Sequence, residues 1–137
     1  MNAAELLSHH HLKKSSARIS IIRALQELET PASEPEISNK MGIHYDRTTF
    51  YRSIQTMVEA GLIRKIVVDK LVVRYALRDK PDHAHFYCDN CQQLTCLEDI
   101  HPGPYRQPAG FQTRESDVII RGLCNSCSNH LPIETIH

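Results

Sequence analysis

Nine consecutive residues, His83-Ala84-His85-Phe86-Tyr87-Cys88-Asp89-Asn90-Cys91, carry two imidazoles and two thiols, and Cys124-Asn125-Ser126-Cys127 repeats the CxxC spacing nearer the C-terminus. A gap of two residues lets both thiolates of a pair turn toward one ion. Cys88, Cys91, Cys124 and Cys127 can therefore close the tetrahedral all-sulfur site that Zn(II) adopts in structural roles. A redox pair or an iron-sulfur ligand set uses the same residues, but the paired repeat favours structural zinc. On a strand His83 and His85 share a face. That suits a second metal site, and it suits a solvated polar edge as well.

Bulk properties say what such sites serve. A chain of 137 residues holds one ordinary domain or two small ones, and a small second core gains from a metal staple. Lys+Arg and Asp+Glu balance at 16 each, which argues against an indiscriminate polyanion binder. The balance is uneven along the chain. Residues 1–80 hold 13 basic against 9 acidic side chains and residues 81–137 hold 3 against 7, so the first half suits nucleic acid and the second attracts cations. No apolar run reaches the length of a membrane span and the N-terminus lacks the apolar core of a signal peptide. Five cysteines, four in metal-like pairs, point to the cytoplasm.

The elements that must position these groups are legible in outline. A short helix is expected from Ala3 to about His11, with His9-His10-His11 as its solvated end rather than a ligand run. Ala17, Ile21, Ala24, Leu25 and Leu28 recur at helical spacing, with Arg18 and Arg23 on the polar side. Thr30-Pro31 ends that helix. Ser33-Glu34-Pro35-Glu36 has the S-x-x-E form of a capping box and opens a short helix that Gly42 stops. Asp46 is placed to cap a longer helix running to Ala60, which Gly61 closes.

Two helices joined by a short Gly-containing turn form a helix-turn-helix. Two β-rich runs, 62–68 and 71–77, flank the polar pair Asp69-Lys70 and predict the hairpin wing of a winged helix. A helical bundle with an incidental hairpin is the competing reading. On the second helix of the motif, Arg47, Thr48, Thr49, Tyr51 and Arg52 lie in the N-terminal half that meets base edges in a major groove. Lys13, Lys14, Arg18 and the wing's Lys70 would contact phosphates.

Leu12 to Ile19, the run Thr49-Phe50-Tyr51-Arg52 followed by Glu59-Ala60-Gly61-Leu62-Ile63, and His83-x-His85-x-x-Cys88-x-x-Cys91 with the final CxxC together resemble the ferric uptake regulator (Fur) family over nearly the whole chain. The resemblance implies an α+β protein: an N-terminal winged helix-turn-helix over residues 1–79 and a small C-terminal α/β dimerisation domain over 80–137 carrying the four-cysteine zinc site. It also implies a homodimeric, metal-dependent repressor that binds an inverted-repeat operator in double-stranded DNA and controls metal uptake. His83 and His85 map onto the family's metal-site histidines near the hinge Lys80-Pro81-Asp82, and Cys96 falls where many members have a glutamate ligand.

A thiolate is softer than a carboxylate, so Cys96 tilts the regulatory ion toward Zn(II) over Fe(II); Cys96 as a buried apolar thiol is the alternative. Departures from the family pattern are plain. Thr30-Pro31-Ala32 stands where a histidine is common, Tyr75-Ala76 where the wing strand usually offers a glutamate, and Ala84 where an aspartate separates the histidines. Glu34, Asp79, Asp82 and His101 are candidates for a fourth regulatory donor, Glu34 foremost. Pro102-Gly103-Pro104 and Pro108-Ala109-Gly110 break the region where the family has a long helix, after which strands are expected at 111–115 and 117–123. The alternatives in function are a peroxide-sensing regulator of the same architecture and a zinc-stabilised protein-interaction module. An enzyme fits poorly, because a four-cysteine site is saturated and no nucleophile-base pair or phosphate loop is present.

Overall fold

The computed structural model describes residues 1–42, 45–101, 103 and 105–129. The chain divides into two compact units, Met1–Pro81 and Asp82–His137. Pro102, Pro104 and the tail from His130 lie outside the described residues.

The first unit runs α1 (Ala3–His9), α2 (Ser16–Leu28), α3 (Glu34–Met41), α4 (Arg47–Glu59), β1 (Ile63–Asp69) and β2 (Val72–Leu77). α1 stops at His9, short of the expected His11, which takes a left-handed φ of 58°. Ser15 caps α2 by accepting from the Arg18 N–H. α2 then buries Ala17, Ile21, Ile22, Ala24 and Leu25. The capping box of α3 forms as the sequence predicts: Ser33 Oγ accepts from the Glu36 N–H, and the Glu36 carboxylate accepts from the Ser33 N–H. Asp46 occupies the N-cap position of α4 but its carboxylate accepts no cap hydrogen bond. Its charge still acts on the positive end of the helix.

Leu7, Ile21, Ile22, Ile37, Met57, Leu62 and Ile63 are fully buried in one core. That core fixes α3 and α4 against α2 and leaves the opposite side of α4 to solvent. β1 and β2 form an antiparallel hairpin. Its turn falls one residue later than the polar pair suggested. Asp69 ends β1, and its carboxylate accepts from the N–H groups of Leu71 and Val72, so Lys70-Leu71 form the tip. A further bridge, which local patterning gave no sign of, joins Ala32 to Tyr75 through N–H to carbonyl bonds of 2.9 and 2.8 Å.

The second unit holds β3 (Ala84–Cys88), β4 (Leu94–Leu97), β5 (Ile119–Gly122) and the short α5 (Asn125–Ser128). The sheet order is β4-β3-β5, with β3 antiparallel to β4 and parallel to β5. No regular element forms between β4 and β5 among the described residues, in keeping with the prolines and glycines there. The strand expected at 111–115 is therefore absent. Residues 111–115 are all exposed, Phe111 by 68%, so among the described residues that segment has neither a neighbouring strand nor a core face to hold it extended. The second expected strand survives as β5. Replacing Ser33 by Ala should lower stability by about 1 kcal/mol through loss of one cap bond, measured by urea denaturation; a change within 0.3 kcal/mol would show that the box contributes nothing.

Candidate metal centres and nucleic-acid interface

β3 delivers Cys88 at its last residue, and the chain then folds back so that the Cys88 N–H reaches the Gln93 carbonyl and the Gln92 N–H reaches the Cys88 carbonyl. Gln92 takes a left-handed φ of 66° to close this knuckle. The Cys91 N–H points at Cys88 Sγ, 3.4 Å away. β5 feeds the second pair: Cys124 is the N-cap residue of α5 and Cys127 sits within it. All four Sγ atoms lie within 4.8 Å of one another. A tetrahedron with metal-sulfur arms of about 2.3 Å has edges of about 3.8 Å, and Cys91 Sγ to Cys124 Sγ is 3.8 Å. The donor set and its spacing fit a zinc ion.

The electrostatics of Cys88, Cys91 and Cys127 point the same way. The backbone N–H of Cys124, with help from those of Cys91 and Asn90, stabilises the Cys88 thiolate and draws its pKa down to about 6. At Cys91 the Gln93 N–H acts in the same sense, but the sulfurs of Cys88, Cys124 and Cys127, together with burial, outweigh it and push the thiol up to about 11. At Cys127 the Asn90 side chain favours the thiolate, yet Cys124, burial and Cys88 raise the pKa. The Cys88 sulfur ionises readily, while Cys91 and Cys127 are costly to ionise beside their neighbouring sulfurs. A dication reverses that cost.

Three contacts around this cluster escaped the sequence reading. Asn90 Nδ2 donates to Cys127 Sγ at 3.3 Å, linking the two knuckles. Arg121, one residue inside the end of β5, donates to Asp89 Oδ1 from Nε and Nη2 at 3.0 and 2.7 Å and lies over the Tyr87 ring. Gly122 passes so close to Phe86 that an added Cβ would meet the ring at 3.2 Å. The only hint had been Asp89-Asn90 inside the first CxxC, a turn-favouring pair.

A second donor cluster comprises His83, His85 and Cys96, whose ligand atoms also lie within 4.8 Å of one another. His85 and Cys96 are opposite residues on β3 and β4. His83 precedes β3 by one residue, and its ring centroid lies 4.7 Å from that of His85. His85 is 3% exposed, which removes the reading of the pair as a solvated edge. Cys96 is half-buried. His101 lies in the same unit, its Nδ1 3.0 Å from the Asp82 carbonyl oxygen. Glu34 belongs to the first unit, on the opening turn of α3.

The DNA-facing candidates occupy exposed positions in the first unit. α4 buries Phe50, Ser53, Ile54 and Met57 and leaves Arg47, Thr48, Thr49, Tyr51 and Arg52 exposed. Lys13, Lys14 and the wing's Lys70 are exposed, and Arg18 is partly so, donating to the Lys13 carbonyl at 2.9 Å.

Residues 9–101 match the model of the ferric uptake regulator family. The chain belongs to that family. Family membership agrees with both parts of the architecture, the winged helix-turn-helix and the small sheet with its four-cysteine cluster. The chain is 29% identical over 108 residues to the ferric uptake regulation protein of Campylobacter jejuni, a match covering 74% of this chain and 64% of that protein. It is 31% identical over 85 residues to the zinc uptake regulation protein of Escherichia coli, covering 58% of this chain and 50% of that one. The chain thus spans less than two thirds of either relative's length. A solved zinc uptake regulator in complex with zinc and DNA superposes with a TM-score of 0.65 at 16% identity, covering 93% of this chain and 91% of that one.

Cys127→Ser should abolish stoichiometric zinc retention and lower the unfolding midpoint, whereas His83→Ala should leave one zinc per protomer bound. Metal content by atomic emission beside thermal unfolding checks both. Retained zinc in Cys127→Ser would remove the four-sulfur assignment.

Proposed function

We propose that this Fur-family chain is a metal-responsive, DNA-binding transcriptional repressor of metal-ion uptake or homeostasis genes, acting as a homodimer on an inverted-repeat operator in the cytoplasm. It is a regulator and not an enzyme. Residues 1–79 form the DNA-binding domain and 80–137 the metal-binding dimerisation domain. One observation carries the reading: a single small sheet holds two separate donor clusters of different chemistry.

Cys88, Cys91, Cys124 and Cys127 hold a structural Zn(II), whose four positions they fill. His83, His85 and Cys96 supply three donors and leave room for exchange, as a sensing site requires. The ion there supplies a fixed positive charge joining β3 to β4. A set of two imidazoles and a thiolate suits Zn(II) better than Fe(II), which prefers carboxylate in place of sulfur. Zinc is accordingly the favoured signal. The exposed face of α4 reads bases through Arg47, Thr48, Thr49, Tyr51 and Arg52, while Lys13, Lys14, Arg18 and Lys70 bind phosphates. Support for the dimer comes from β5, an edge strand with Ile120 exposed, since unpaired edges invite pairing with another chain.

Metal and DNA binding are then reciprocally linked. Filling the regulatory site should raise operator affinity by about five- to 150-fold, read by fluorescence anisotropy while free Zn(II), Fe(II) or Mn(II) is titrated. Equal affinity with the site empty and full would reject the repressor mechanism. Cys96→Glu should weaken activation by Zn(II) and improve that by Fe(II) or Mn(II); an unchanged order of metals would show that Cys96 does not ligate. Glu34→Gln tests the sequence-based assignment of a fourth donor, because undiminished metal affinity removes it.

A further inference from the structure

Inside the first CxxC, Asp89 and Asn90 are not ligands, yet each reaches the arm that carries the second pair. The Asp89 N–H donates to the Gly122 carbonyl at 2.8 Å, and its carboxylate accepts from Arg121 Nε and Nη2. Both partners lie on β5, which leads to Cys124. Held there by backbone and side chain, the turn carries Asn90 across to α5, where Nδ2 donates to Cys127 Sγ at 3.3 Å over a separation of 37 residues. The Cys88 sulfur is met within its own knuckle, by the Cys91 N–H at 3.4 Å. Cys127 is 9% exposed, so the Asn90 amide, rather than bulk water, supplies its donor.

Four thiolates outnumber the charge of one Zn(II) and leave the cluster anionic. Charge concentrated on one sulfur favours loss of that ligand to a competing chelator. An N–H donor aimed at the sulfur draws part of the charge off and fixes the direction of the ligand. We propose that Asn90 determines how firmly the four-sulfur site retains zinc, acting through its hydrogen bond to the Cys127 thiolate. It ligates nothing itself. Because the bond runs from one knuckle to the other, it also links the two pairs, so that neither releases the ion alone. The inference rests on the assignment of zinc to Cys88, Cys91, Cys124 and Cys127.

Asn90 is an exposed residue, so its replacement leaves the packing intact. The full chain is compared in a His83→Ala background, which keeps the second donor cluster from contributing, by equilibrium competition for zinc against a chelator. Asn90→Ala should lower zinc affinity by about tenfold or more. Asn90→Asp has the same shape but sets an anionic acceptor against the thiolate, and should lower it further. If the residue served only to form the turn, Asp would be the better replacement, since it favours turns as Asn does. Affinities falling in the order Asn, Asp, Ala would therefore overturn the proposal, as would equal affinity in all three. The cobalt-loaded protein gives a second readout. Its sulfur-to-metal charge-transfer band should move to lower energy in Asn90→Ala, as the thiolate regains electron density; an unmoved band would also count against the bond. A His83→Ala protein that binds neither zinc nor cobalt through thiolates would instead overturn the four-sulfur assignment, a failure visible before any Asn90 variant is made.

Discussion

Four sulfurs held within 4.8 Å of one another form a donor set that one dication can bind at once. Without one, backbone N–H groups favour the Cys88 thiolate while the neighbouring sulfurs push the Cys91 thiol up. With one, the same crowding becomes a cross-link between the end of β3 and the start of α5. The second unit needs it. Its sheet has three short strands and its one described helix has four residues, too little apolar area to order a chain unaided. Strand β3 is shared by both clusters, with Cys88 at one end and His85 near the other. Anything that fixes the register of β3 with β4 also sets His85 opposite Cys96.

The first unit is ordered by different means. Its core of aliphatic side chains is closed by helix caps and by the Ala32 to Tyr75 bridge, and no metal donor set lies wholly within it among the described residues. Rigid packing on one side of α4 allows an exposed, polar opposite face. On the proposed function the two units divide the work: apolar burial builds the surface offered to DNA, and ligand chemistry builds the sensing site.

Features that depend on neighbours in sequence were legible before the structure. The capping box at Ser33, the helix ends at Gly42 and Gly61, the CxxC pairs and the wing hairpin all follow from local rules. What was hidden depended on partners distant along the chain. The Asn90 bond to Cys127, the Arg121 pairing with Asp89 and the Ala32 bridge to Tyr75 join residues that no spacing rule connects. The segment 111–115 failed for the complementary reason: it is exposed throughout and joins neither sheet among the described residues. His83 and His85 fall between these cases. Their alternation suggested a shared face, but only burial and the approach of Cys96 turned that face into a donor cluster.

The most direct measurement is the stepwise removal of metal from one protomer, followed by native mass spectrometry as chelator strength is raised. Two classes of ion are expected: one released under mild chelation with the fold intact, and one zinc that leaves only as the second unit unfolds. Release of all metal in a single step, or retention of one class only in a fully zinc-loaded sample, would contradict the division into a permanent and an exchangeable site.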